Sequence, residues 1–259
     1  MPAAKDQPHA AKDEPLSLLL RAFHLPTMAR IASQAMAEAQ AKNWSHRELL
    51  LHLCESEAQE RSARLTQRLL KTSGLPEGKT LGTLDEAALP ERVRRQLPAL
   101  LAGDFIDRNE NILAFGLPGR GKTHFLAALG RELILRHNRR VLFIPAFKLV
   151  GRLLQAKAVN ALEQALRNLD RFEVIALDDI GYVQQSREEM EVLFTFLAER
   201  YERRSLMISS NLVFSKWDQI FKDPMTTMAA VDRLVHHSII LEFSGDSLRV
   251  RRAKEKAQA

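Results

Sequence analysis

Cysteine is almost absent. The single one, Cys54, excludes an internal disulfide and fits a reducing cytoplasm, where we expect the protein to work. Aromatic residues make up only 6% of the 259-residue chain, so no strong stacking platform for unpaired bases is evident. No apolar run approaches the ~20 residues that span a bilayer, which argues against a membrane partner. The opening MPAAKDQPHAAKDEP has charges and prolines but no apolar centre, so it reads as a loose tail over 1–14 rather than a secretory signal. We find no internal repeat, no zinc-finger spacing, no Ser/His/Asp arrangement and no transposase-type carboxylate triad. The adjacent His236 and His237 would face different directions on a helix and lack a cysteine companion, so no metal role is expected of them. What is present is a basic balance: net charge +6 and pI about 9.6, which permits nucleic-acid binding without establishing it.

Three regions follow one another. Residues 15–72 carry helical spacing: Met28, Ile31, Ala35 and Met36, then Leu49, Leu50, Leu51 and Leu53. Ser45 is placed as an N-cap with Glu48 completing a capping box. Residues 73–102 are a connector punctuated by Gly74, Pro76, Gly78, Gly82, Pro90 and Pro98, in which no long element is expected. From 103 to 259 short apolar runs (NILAFG, VLFIP, VIALDD, LMISSN) alternate with amphipathic helical stretches. That alternation predicts an α/β domain with a mostly parallel sheet and helices on both faces. SIILEF and SLRVRR read as a closing strand pair.

GLPGRGKT, Gly116 to Thr123, lies between the first apolar run and an amphipathic helix, the context a phosphate-binding loop requires. Gly116, Gly119 and Gly121 let backbone N–H groups converge on an anion. Lys122 supplies a cation for the β- and γ-phosphates, Thr123 a hydroxyl for Mg²⁺, and the helix N-terminus a partial positive charge. We assign the loop contacts to Gly116, Pro118, Gly119, Gly121, Lys122, Thr123 and His124. Asp178, at the carboxyl end of VIALDD, is assigned to the metal, and Asp179 to orienting or deprotonating the attacking water. Asn211, ending the next strand, can bond the γ-phosphate or that water. Asp178 and Gly181 also fit a DxxG, but no guanine-reading NKxD follows, so ATP is the expected nucleotide. No substrate lid with catalytic arginines marks a small-molecule kinase. An AAA+ type ATPase fits better, with Arg233, in a short helix before SIILEF, completing the site of a neighbouring subunit.

These segments, together with LPTMARIASQA, ERSARLTQRLLK, KTLGTLDEAALP, ISSNLVFSKWDQIF and VDRLVHHSIILEF, resemble the IstB-like ATP-binding proteins of bacterial insertion sequences, relatives of the DnaC helicase loader. One departure is LPEGKT in the connector, where the family often carries aromatics. The resemblance implies a three-layer αβα AAA+ core of five strands behind a small helical N-terminal domain. It also implies a homo-oligomer that hydrolyses ATP with Mg²⁺, binds duplex DNA and serves a cognate transposase. A DnaC-like helicase loader, and a nucleotide switch with negligible turnover, are the competing readings. For DNA, Arg61, Arg64, Arg68 and Lys71 form one basic stripe at helical spacing. Glu57 and Glu60, each four residues ahead of an arginine, would neutralise Arg61 and Arg64 in part.

Overall fold

The computed structural model describes residues 14–182, 186–212, 232 and 234–245. The chain divides into two compact units at Gln67/Arg68.

The first unit is a set of helices: α1 (Glu14–Ala22), α2 (Pro26–Ala41) and the first part of α3 (His46–Thr72). The expected capping box starts α3: Ser45 N–H donates to Glu48 Oε2 at 2.7 Å and Glu48 N–H to Ser45 Oγ at 3.3 Å. On α2 the small side chains Ala32, Ala35 and Ala39 are buried with Met28. The start of α2 has no capping side chain of its own. Glu57, from α3, fills that role: its Oε2 accepts the backbone N–H groups of Thr27 and Met28 at 2.7 and 3.0 Å. Those two N–H groups would otherwise be orphans at the positive end of the helix dipole. Burial raises the Glu57 pKa, but these hydrogen bonds and the nearby Arg61 and Arg64 outweigh it and hold it below the ordinary 4.5. A carboxylate whose folded pKa is depressed stabilises the fold above its unfolded pKa and ceases to as pH falls through the folded one. We therefore expect Glu57→Gln to destabilise these helices by ~1 kcal/mol at neutral pH. The deficit should disappear on acidification below the carboxylate range, as followed by helical circular dichroism on heating.

The second unit is built on a five-stranded sheet in the order β2-β3-β4-β1-β5, with every neighbouring pair parallel. The strands are β1 (Asn111–Phe115), β2 (Val141–Pro145), β3 (Val174–Asp178), β4 (Ser205–Ser210) and β5 (Ser238–Glu242). β1 and β4 are buried throughout, and β2 and β3 except at their last residue, as strands covered on both faces require. One face carries α7 (Ala146–Ala158), α8 (Leu162–Asp170) and α9 (Arg187–Arg200) over Leu113, Phe115, Ile175 and Ile208. The other packs α6 (Lys122–His137) against β2, β3 and β4. The three-layer α/β architecture is as expected.

One local expectation differs, and another lies partly outside the described residues. The connector holds short 3₁₀ turns at Leu81–Thr83 and Glu86–Ala88 and then a full helix, α4 (Glu91–Ala102), with Pro98 inside it. Burial of Val93, Leu97 and Leu100 outweighs the one hydrogen bond that Pro98 removes. α4 ends at Gly103, which is left-handed, and α5 (Asp104–Asp107) follows. The closing strand β5 pairs in parallel with β1, while SLRVRR lies outside the described residues. Because all five strands run the same way, their carboxyl ends share one edge, and the chemistry collects there.

Candidate nucleotide site

The loop leaves β1 at Gly116 and enters α6 at Lys122. Gly116, Gly119 and Gly121 have φ of 147°, 82° and 90°. At Gly116 a side chain is doubly excluded: φ is positive, and an added Cβ would collide with the carbonyl of Phe243, just past β5. The loop is stitched to its neighbours by Gly116 N–H to Ser210 O (3.3 Å) and Phe243 N–H to Phe115 O (2.7 Å). Arg120 also donates to Phe243 O, at 3.1 Å. Lys122 is 5% exposed, and its ammonium donates to the carbonyls of Gly116 (2.6 Å) and Leu117 (3.1 Å), so its charge sits over the loop. Thr123 follows in the first turn of α6, half-buried. His124 turns away to the connector: its Nε2 lies 3.1 Å from both Thr83 Oγ1 and Thr80 O. Its role is to hold the connector's 3₁₀ turn against the base of α6.

β4 lies beside β3, and its next-to-last residue, Ser209, is fully buried. Its hydroxyl donates to Asp178 Oδ1 at 2.6 Å and accepts the Asp179 N–H at 2.8 Å. One side chain thus orients the metal-assigned carboxylate and the backbone of the next acid. Asp179 is held at φ 56°, a left-handed conformation that costs a non-glycine residue energy and aims its side chain differently from a strand residue's. Gly181 leaves room for the Asn211 side chain, whose Oδ1 lies 2.2 Å from where a Cβ would stand. That oxygen is buried with no hydrogen-bond partner among the described residues.

Asp178, Asp179, Asn211 and the loop therefore lie at the same edge of the sheet, where the strands end. Arg233 lies outside the described residues. Ser209 was not singled out from the sequence, because serine at a strand end is ordinary; only the strand order gives it two partners. We expect Ser209→Ala to raise the Mg²⁺ concentration needed for half-maximal phosphate release by about 10-fold or more, since outer ligands of that kind orient the inner one. A Mg²⁺ titration at saturating ATP measures it.

The residues fit a magnesium–triphosphate. The loop turns into α6 through Gly119 and Gly121 at positive φ, the backbone form in which successive N–H groups can converge on an anion. Thr123 and Asp178 are hard oxygen donors, and Asp178 keeps its second oxygen unengaged among the described residues. Asn211 offers an unsatisfied buried acceptor of the kind a ligand or its water completes.

The basic stripe on α3 is uneven. In the first unit, Arg61 donates to His24 O (2.8 Å) and lies 3.7 Å from Glu57. Arg64 donates to Glu57 Oε1 (3.2 Å) and Thr27 Oγ1 (3.3 Å). Arg64 thus pairs with Glu57, not with Glu60, because Glu57 is the carboxylate fixed by the start of α2. In the second unit, Arg68 and Lys71 are exposed and their side chains have no ion pair among the described residues. No helix among the described residues is long and apolar enough to cross a membrane.

Comparison with known proteins gives a consistent picture. The model of the family described as IstB-like ATP binding protein matches residues 18–257. An insertion-sequence ATP-binding protein of Sinorhizobium fredii is 41% identical over 241 residues, 93% of this chain and 80% of that one. The ATP-binding protein of insertion sequence IS5376 from Geobacillus stearothermophilus is also 41% identical, covering 91% of this chain and 94% of that protein. Among solved structures, the DnaC helicase loader superposes with a TM-score of 0.52 at 16% identity, over 59% of this chain and 89% of that one. The replication initiator DnaA bound to AMPPCP and single-stranded DNA gives 0.56 at 19%, over 71% and 56%. At such identities these structures share the fold alone.

Proposed function

The chain belongs to the IstB-like ATP binding protein family, and from that premise we propose that it is an ATPase that assembles on duplex DNA and assists the transposase of an insertion sequence. The observation that carries the proposal is the convergence of the loop, Asp178, Asp179 and Asn211 at one edge of the sheet, in a chain 41% identical to insertion-sequence ATP-binding proteins.

In this reading the loop's N–H groups and Lys122 hold the phosphates of the substrate ATP. Thr123 and Asp178 would hold Mg²⁺, which when bound would supply positive charge beside the phosphate oxygens. Ser209 keeps Asp178 in position. Asp179 accepts the proton of the attacking water, and Asn211 holds that water or the terminal phosphate. Arg233 of one subunit reaches the terminal phosphate bound by the next and stabilises transition-state charge. ATP thereby favours the assembled state, since it contacts two subunits there and one elsewhere. Hydrolysis removes the bridging phosphate and loosens the interface.

Duplex DNA is held through phosphates, chiefly by Arg68 and Lys71, with the half-exposed Arg61 and Arg64 contributing less because Glu57 already engages them. We reject the helicase-loader reading as first choice because the loader likeness is of fold only. The test is sedimentation and electron microscopy of the full chain with plain duplex, with a non-hydrolysable ATP analogue and with ADP. Long assemblies are expected with the analogue and none with ADP. The double variant Arg68→Ala/Lys71→Ala should bind duplex more weakly and lower the salt slope of log K by ~2. A protein that stays monomeric and ignores duplex in every nucleotide would overturn the reading.

A further inference from the structure

The opposite edge of the sheet, where the strands begin, holds a second cluster of chemistry. The N–H of Asn111, first residue of β1, donates to His237 O at 2.7 Å, so the turn before β5 is fixed to the start of β1. Nearby, the turn between α9 and β4 presents Glu202, a left-handed residue at φ 56° whose carbonyl accepts from Asn109 Nδ2 at 3.0 Å. Both turns are thus pinned by their backbones, and their side chains meet. His237 Nε2 lies 3.3 Å from Glu202 Oε1. The rings of His236 and His237 stand edge to face, with centroids 4.4 Å apart. Tyr201 Oη is 3.4 Å from His236 Nδ1.

The two histidines were expected to diverge. They converge because the helical residues end at His236 and His237 already belongs to the turn, where the 100° step of a helix no longer applies.

One ligand atom from each of Glu202, His236 and His237 lies within 4.8 Å of the others. Two ligands on a tetrahedral zinc-type ion at ~2.0–2.1 Å stand about 3.4 Å apart. The Glu202–His237 pair is already at that separation, and His236 needs only a small side-chain adjustment to join. We propose that these three residues form a binding site for a first-row transition-metal cation of the zinc type, two imidazoles and a carboxylate with a fourth position open to solvent. The donor set selects against Mg²⁺ and Ca²⁺, which prefer all-oxygen shells. Tyr201 orients the His236 ring, as second partners of metal-bound histidines do. An ion there clamps the α9–β4 turn to the segment that ends in His237. The inference does not depend on the nucleotide reading, since no residue is shared with that site.

The experiment uses the full chain without nucleotide. Isothermal titration with Zn²⁺ should show one saturable site, and Co²⁺ should give the visible absorption of a tetrahedral centre. His236→Ala, His237→Ala and Glu202→Gln should each weaken Zn²⁺ binding by about 10-fold or more. All three should keep the wild-type circular dichroism spectrum. Absence of saturable binding overturns the proposal. So does binding that survives the His236→Ala/His237→Ala double variant but is lost in Cys54→Ser, which would put the metal among the N-terminal helices.

Discussion

Lys122→Ala lowers ATP affinity by about 100-fold or more, ~2.8 kcal/mol of binding free energy. The expected size follows from where the ammonium sits. It is 5% exposed, and its hydrogen bonds go to the carbonyls of Gly116 and Leu117, two residues of the loop itself. Alanine removes the cation from a site whose other donors are neutral N–H groups, and a charge-assisted hydrogen bond is roughly twice as strong as a neutral one. It also takes that donor from the carbonyls of Gly116 and Leu117. Thermal melting separates the two effects. A ligand present at 100 times its dissociation constant stabilises by ~2.7 kcal/mol, a shift of several degrees in a unit of this size. Wild type should show that shift with Mg²⁺–ATP. Without nucleotide the variant should melt below wild type, reporting the lost loop bonds, and nucleotide should give it no further shift. A nucleotide-dependent shift of wild-type size in the variant would remove Lys122 from the phosphate site.

How much of this was readable in the sequence depends on how local each feature is. The strands of a parallel sheet are buried on both faces, so VIALD and NILAF announce themselves as unbroken apolar runs, and the loop between β1 and α6 has a pattern its chemistry nearly dictates. The Ser45–Glu48 box is a three-residue spacing and was equally plain. Features with distant partners were not. Glu57 reads as an (i, i+4) partner for Arg61, yet its main duty is to two N–H groups ~30 residues earlier. Pro98 reads as a helix breaker, because the burial of Val93, Leu97 and Leu100 that overrides it comes from tertiary packing. Ser209 acquires its role from the placement of β4 beside β3, a fact of strand order that no spacing encodes. Arg200 is similar: a buried guanidinium, its pKa pushed by burial down to about 9, that donates to the carbonyls of Leu169, Phe172 and Ser205 and ties α9 to the start of β4.

Asp179→Asn should leave nucleotide binding nearly unchanged and slow phosphate release by a factor on the order of 10²–10⁴, the range for a positioned general base. Asparagine is the informative replacement because of the backbone. Asp179 sits at φ 56°, a region that asparagine enters as readily as aspartate and that alanine tolerates poorly. Its N–H bond to Ser209 Oγ, at 2.8 Å, is a main-chain contact and survives the change. Asp178, held through Ser209 by a separate bond, survives with it. What changes is one oxygen, from a proton acceptor to an amide nitrogen that cannot take a proton. The variant should therefore hold ATP without turning it over, and on duplex DNA it should remain in assemblies that the wild type abandons as ATP is consumed. Phosphate release in single-turnover format, run beside a nucleotide-binding titration, reads the two quantities independently. Normal turnover would mean that the attacking water is deprotonated elsewhere. Lost binding would mean that the left-handed turn at Asp179 shapes the phosphate pocket itself, and that its side chain acts on the ground state rather than on the transition state.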